Sequence, residues 1–179
     1  MEFKTLIESL SDNQTVIAFI YVILSFVLAF IIDKVFFRFL RSLVARSSSD
    51  IDDKIIEVLH KPLYYSILFF GLTISIKLVN IPDLIIYYSV GLLKTFIIIM
   101  WSTALLKSFI ILIGWSSKKT DKLQFIQAKT LPLFQNLGKI VIFLIGVYFV
   151  MVNWGIDVTG WVASAGILSV VIGFAAKDT

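Results

Sequence analysis

The sequence predicts an all-α membrane protein with about five transmembrane helices. Three observations carry that prediction. Hydrophobic residues make up 59% of the 179 and the mean hydropathy is +0.96, whereas about half of a soluble domain is apolar. Charged residues are only 16%, against about 25% in a soluble domain. The apolar residues also gather into runs of the length a bilayer demands, about 20 helical residues for a hydrocarbon core of ~30 Å.

The first span is "TVIAFIYVILSFVLAFII", Thr15 to Ile32. Its helix is expected to run on through "DKVFFRFLRSLVAR", whose aromatic and arginine residues suit the headgroup region. "SSSDIDDKIIEVLHKP" follows. Ser49 or Asp50 can cap a short helix there, and the early acids suit its positive end. Ile51, Ile55, Ile56 and Leu59 form one apolar stripe, as in a helix lying on the membrane surface or on a neighbouring helix. The second span runs from Pro62 to Val79, with proline at a tolerated first position. "NIPD" is a tight turn. The third span is long, Leu84 to about Trp115, and the fourth runs from Pro132 to Trp154. "GID" then separates it from a fifth, Val158 to Ala176. The natural divisions are 1–61, 62–131 and 132–179.

Basic residues test the count. The first connection holds Lys34, Arg38, Arg41, Arg46, Lys54 and Lys61, and the third holds Lys118, Lys119, Lys122 and Lys129. The second and fourth turns hold none. This alternation places the N-terminus outside and the C-terminus in the cytoplasm. Within the spans, Lys77, Lys107 and Lys139 lie near enough to an end to snorkel. Lys94 lies deeper, and either reaches the outer headgroups or has a functional partner.

Several classes are excluded. The net charge of +4 forms no basic patch interleaved with aromatics, so nucleic acid is not an expected partner. Cysteine is absent and His60 is the single histidine, so thiol chemistry is impossible and no metal-ligand spacing exists. His60 reads as an interfacial residue. No catalytic constellation and no phosphate-cradling loop appear, so neither an enzyme nor a cofactor is expected.

The last apolar stretch, "ASAGILSVVIGFAA", is rich in small residues. At about 100° per residue, Ala163, Val170 and Phe174 share one narrow face. Gly166, Ser169 and Gly173 flank it on one side, and Ser164, Val171 and Ala175 on the other. Small residues allow close helix approach in membranes. Small flanks on both sides suit a ring of identical helices, with Val170 and Phe174 facing the axis as an apolar constriction. The pattern also admits a helix packed inside its own bundle.

"NWGIDVTGWVASAGILSVVIGFAAKDT" resembles the pore-helix region of the small-conductance mechanosensitive channel (MscS) family. "DIDDKIIEVLHKPL" is also similar to a segment of its larger members. The resemblance implies a homo-oligomeric ring, a heptamer, in a bacterial-type inner membrane. It implies opening under bilayer tension and release of ions and small osmolytes in hypo-osmotic shock. Carried over residue by residue, it puts Val170 and Phe174 at the constriction and Gly166, Ser169 and Gly173 at packing positions. Ala163 lies near the outer end of that helix. Membrane lipids are the further partners, anchored at Trp115, Lys118, Lys119 and Lys122. Ile167 and Val171 are bulkier than the family's usual alanines, and Phe174 is larger than its usual leucine. Asp178 stands where some members carry a kinking glycine. In the family the helix leads into a cytoplasmic vestibule, so this chain is expected to be the membrane part of a longer protein. A transporter subunit and a non-conducting scaffold are the alternatives.

Overall fold

The computed structural model describes residues 14–38, 50–119 and 131–177. All regular structure among them is helical, as it must be where no water can satisfy the backbone. Helix α1 spans Gln14–Ile31 and continues through a π-helical turn, Ile32–Phe36. Helix α2 is Asp50–Leu78, α3 is Asp83–Lys119, α4 is Leu131–Asn153 and α5 is Thr159–Lys177. Four of them carry spans long and apolar enough to cross a membrane: Gln14–Val35, Ile51–Leu78, Asp83–Trp115 and Leu131–Asn153. The expected fifth span exists as a helix, but its apolar part, Thr159–Ala175, is shorter than the other four.

Two local expectations are corrected. The 50–59 segment is not a separate surface helix, and Pro62 does not start a new one. Both belong to a single helix, α2, with Pro62 in its interior. The proline forfeits one backbone hydrogen bond, yet it is buried and the helix continues through it. The stripe reading survives in altered form, because Ile51 and Ile56 are buried within the chain, and α2 packs along α1 and its π turn.

Among the described residues, each of the first four helices packs only on its sequence neighbours: α1 on α2, α2 on α3, α3 on α4. They form a row and not a closed bundle. Every pair is antiparallel, and side-chain contacts fix the register. Gly71 of α2 presses on Ser25 of α1. Trp101 Nε1 of α3 donates to Ser66 Oγ of α2 at 3.0 Å. In α4, Gly146 abuts the Ser102 hydroxyl and Gly138 abuts the Phe109 ring of α3. Glycine lets the backbones approach at these three places.

That register gathers charges that are far apart in sequence. Asp33, in the last turn of the first span, pairs with His60 of α2. Six residues before Ser66 is His60, and six after Trp101 is Lys107. Lys139 adjoins Gly138, level with Phe109. Asp33, His60, Lys107 and Lys139 thus occupy one layer, in the half of the row towards the C-terminal end of α3, though only the first two pair directly. Asp33, one residue past the expected end of the first span, is partly buried. The sequence offered no sign of its partner, because Asp33 and His60 are 27 residues apart.

A row leaves wide faces uncovered. The accessible surface is 13564 Å², whereas a compact soluble protein of 20.3 kDa exposes about 8,800 Å². Large apolar side chains on both outer helices are bare, among them Phe19, Ile23, Leu133 and Phe143. Lipid or further protein must cover such a surface.

Candidate functional site

The chain's most distinctive region is α5 and the corner that launches it. Helix α4 ends in a six-residue motif. Ile156 N–H donates to Met151 C=O at 3.0 Å and Gly155 N–H to Val152 C=O at 3.0 Å. Gly155 has φ +71°, the left-handed value this ending requires and that glycine alone adopts without strain. The chain then reverses. Asp157 Oδ1 accepts the Thr159 N–H at 2.9 Å, capping the first turn of α5. The Thr159 hydroxyl and then its N–H hold the Asp157 carboxyl below the usual carboxylate range.

The corner is fastened to α3 by a polar clamp that sequence reasoning missed. Thr95 Oγ1 donates to its own helix at Gly91 C=O, 2.8 Å. It accepts from Trp154 Nε1 at 3.0 Å and from Asn153 Nδ2 at 3.2 Å. One hydroxyl donor and two lone pairs are therefore all used. Asn153 Nδ2 also donates to Gly91 C=O at 2.9 Å, and Tyr87 Oη to Trp154 C=O at 3.2 Å. The Trp154 ring lies against Gly91, where a Cβ would come within 3.2 Å of it. Tyr87 and Tyr88 stack around the same indole. The only sequence signal was polar residues at a helix end, and their partners lie some 60 residues earlier.

Beyond the clamp, α5 packs on no other described helix. Only its first turns come near α4, where Tyr148 shares a pocket with Thr159, Val162 and Ala163. Val170 is 58% exposed and Phe174 68%. Ala163, Gly166, Ser169 and Gly173 are exposed as well. A Cβ added at Gly166 or Gly173 would meet nothing within 4 Å. Among the described residues, the bundle-packed alternative for this helix has no contacts that would support it. Ser164 and Ser169 turn their hydroxyls back onto Gly160 C=O and Ala165 C=O, both at 2.8 Å. Their donors are spent inside the helix, so the α5 surface is less polar than its composition suggests.

The expected lipid anchors are at the far end of α3. Trp115 is partly exposed there. Lys118 and Lys119 belong to the end of α3, but their side chains lie outside the described residues, as does Lys122 entirely. Asp178, where a kink was in question, also lies outside them. No group of three or more acidic, histidine or cysteine residues fit to hold a metal occurs among the described residues.

Comparison with known proteins places this region. The family profile described as mechanosensitive ion channel, transmembrane helices 2/3, matches residues 136–177, which is most of α4, the corner and α5. An uncharacterized MscS family protein of Aquifex aeolicus (strain VF5) is 25% identical over 171 residues, covering 88% of this chain. The chain spans 41% of that relative's length. No solved structure matches the chain.

Proposed function

Because the chain belongs to the MscS family, we propose that it is the membrane part of an ion-channel subunit whose α5 lines the pore. One observation supports this most. Gly71, Gly91, Gly138 and Gly146 of α2 to α4 lie against side chains from elsewhere in the chain, whereas a Cβ at Gly166 or Gly173 of α5 would meet nothing within 4 Å. In the proposed ring those small flanks pack against copies of the same helix, and the ring is a heptamer, as the family resemblance implies.

Val170 and Phe174, one helical turn apart, then form two apolar rings around the axis. A narrow apolar constriction excludes water, so ions meet a dewetting barrier without a physical plug. Tension favours the state of larger membrane area. The row α1 to α4 offers that lever, because it meets lipid along wide faces and carries α5 only through the corner clamp. Tilting the row moves the clamp and draws the α5 helices apart. Trp115, Lys118, Lys119 and Lys122 hold the opposite end of α3 at the headgroups. The setting is the inner membrane, N-terminus outside and C-terminus in the cytoplasm. The released solutes are ions and small osmolytes during hypo-osmotic shock.

Patch recording from the chain reconstituted in liposomes tests this. Stepwise currents are expected only under suction, and Phe174→Ser is expected to lower the threshold or to leak at rest. Silence from a ring of confirmed stoichiometry would favour the scaffold alternative, and unchanged gating in Phe174→Ser would remove that residue from the gate.

A further inference from the structure

We infer that Lys77 and Lys94 form a binding site for the phosphodiester of a phospholipid headgroup, in a notch made where α4 stops short of α3. This site lies on the α2–α3 face and is separate from the pore-lining proposal, which can fail without affecting it.

The notch follows from helix lengths. Helix α3 begins at Asp83, but the end of α4 is fastened at Gly91 and Thr95. About 12 Å of α3 therefore extends past α4. A cavity of about 290 Å³ opens beside the overhang, lined by Lys77, Asp83, Tyr87, Gly91, Lys94 and Asn153, with the remaining wall apolar. Helix α2 supplies Lys77 from its last turn.

Depth makes the lysines a pair. Lys94 is thirteen residues from Lys107 in the charged layer, about 20 Å along the helix. Lys94 is also eleven residues past the start of α3 at Asp83, about 16 Å along the helix, so its backbone lies well below that end. Helical side chains lean towards the N-terminus of their helix. For Lys94 that is towards Asp83 and the nearer water, so its ammonium rises into the notch. Lys77 enters from α2, one residue before that helix ends. The corner beside them is polar and exposed at Asp157, so headgroup depth dips at this point. Neither lysine makes an ion pair with Asp83 or with any other described carboxylate. Two cations and one carboxylate leave the cavity net positive. An unpaired cation sunk beneath the headgroup plane is costly, and a phosphodiester descending into the notch supplies the missing charge. Its acyl chains would follow the apolar wall downward.

Native mass spectrometry of the intact detergent-solubilised chain tests the site, titrating phosphatidylglycerol, dioleoylglycerol and inorganic phosphate separately. One phosphatidylglycerol per copy is expected to be retained, with neither dioleoylglycerol nor millimolar phosphate displacing it. The double substitution Lys77→Gln/Lys94→Gln is expected to weaken retention by about tenfold, while Lys107→Gln leaves it unchanged. Lys77→Arg/Lys94→Arg keeps the charge and is expected to restore binding, which separates charge loss from misfolding. Wild-type retention in the glutamine pair would overturn the inference. So would failure of the arginine pair to restore binding, displacement by dioleoylglycerol, which would make the site apolar, or displacement by inorganic phosphate, which would make it a free-anion site.

Discussion

At the scale of single residues, Thr95 has the most to lose. Its hydroxyl is the common acceptor for Trp154 and Asn153, and Thr95→Val keeps the shape while deleting that shared acceptor. The Asn153 amide keeps its bond to Gly91 C=O, but an unsatisfied indole N–H in a partly buried site costs about 1–3 kcal/mol. Thr95→Val should lower the thermal midpoint accordingly, read by circular dichroism in detergent, and should blue-shift or broaden the Trp154 emission. Asp157 is a second such residue. Its folded pKa is depressed, so the stabilisation it gives the first turn of α5 is full above the unfolded carboxylate pKa, about 4. That stabilisation is lost as pH falls through the lower, folded value. Amide exchange at Thr159 and Trp161 should therefore be slower than in Asp157→Ala at neutral pH, and the two proteins should converge in acid. A difference that persists unchanged through strong acid would show that the carboxylate is not the cap.

At the scale of helices, glycines that abut a neighbouring helix differ from Gly173 of α5. Gly138 abuts the Phe109 ring and Gly71 abuts Ser25, so Gly138→Leu or Gly71→Leu must push α3 from α4 or α1 from α2. Overpacking of this kind costs about 1–3 kcal/mol or more. Gly173 meets nothing within 4 Å, so Gly173→Leu should leave the stability of the isolated chain nearly unchanged. Its effect should show only in the assembled state, as a loss of oligomer mass by light scattering. Equal thermal destabilisation by Gly138→Leu and Gly173→Leu would contradict this division. The Asp33–His60 pair is the corresponding polar tie between α1 and α2. Phe37 stacks edge-on to His60 with ring centroids 4.4 Å apart, so the imidazole is held from two sides. Proteolysis of the 39–49 connection should accelerate in Asp33→Ala, because that end of α1 loses its attachment.

At the scale of the whole molecule, the arrangement is a row of four helices with a fifth suspended from a clamped corner. The row leaves α5 uncovered among the described residues, and identical copies are the partners proposed for it. The natural absence of cysteine makes this directly measurable. With Gly173→Cys and Val171→Cys in one chain, opposite flanks of neighbouring helices meet in the proposed ring. Mild oxidation should then give a ladder of covalent oligomers ending at the ring number. A product that stops at the dimer would exclude a closed ring.

Much of this was determined by the sequence alone. Apolar runs of bilayer length fix where helices must form, because no other structure satisfies a backbone in lipid, and spans one, three and four lie within three residues of expectation. The Gly-Ile-Asp break was legible because glycine in the left-handed region and aspartate at a helix start are local devices. So were the small flanks of α5, which follow from the helical period, and the motif similarity of the last two helices. Only the tertiary structure decided the rest. Pro62 fell inside a helix because packing of α2 on α1 outweighs one lost hydrogen bond. Asp33 found His60, and Thr95 found Asn153 and Trp154, through a register that no local pattern encodes. Lys94 moved from an unplaced charge to a wall of the notch because α4 stops where the clamp holds it. The physical reason is the same in each case: the membrane dictates helix length and polarity one segment at a time, whereas register depends on which small residue faces which neighbour.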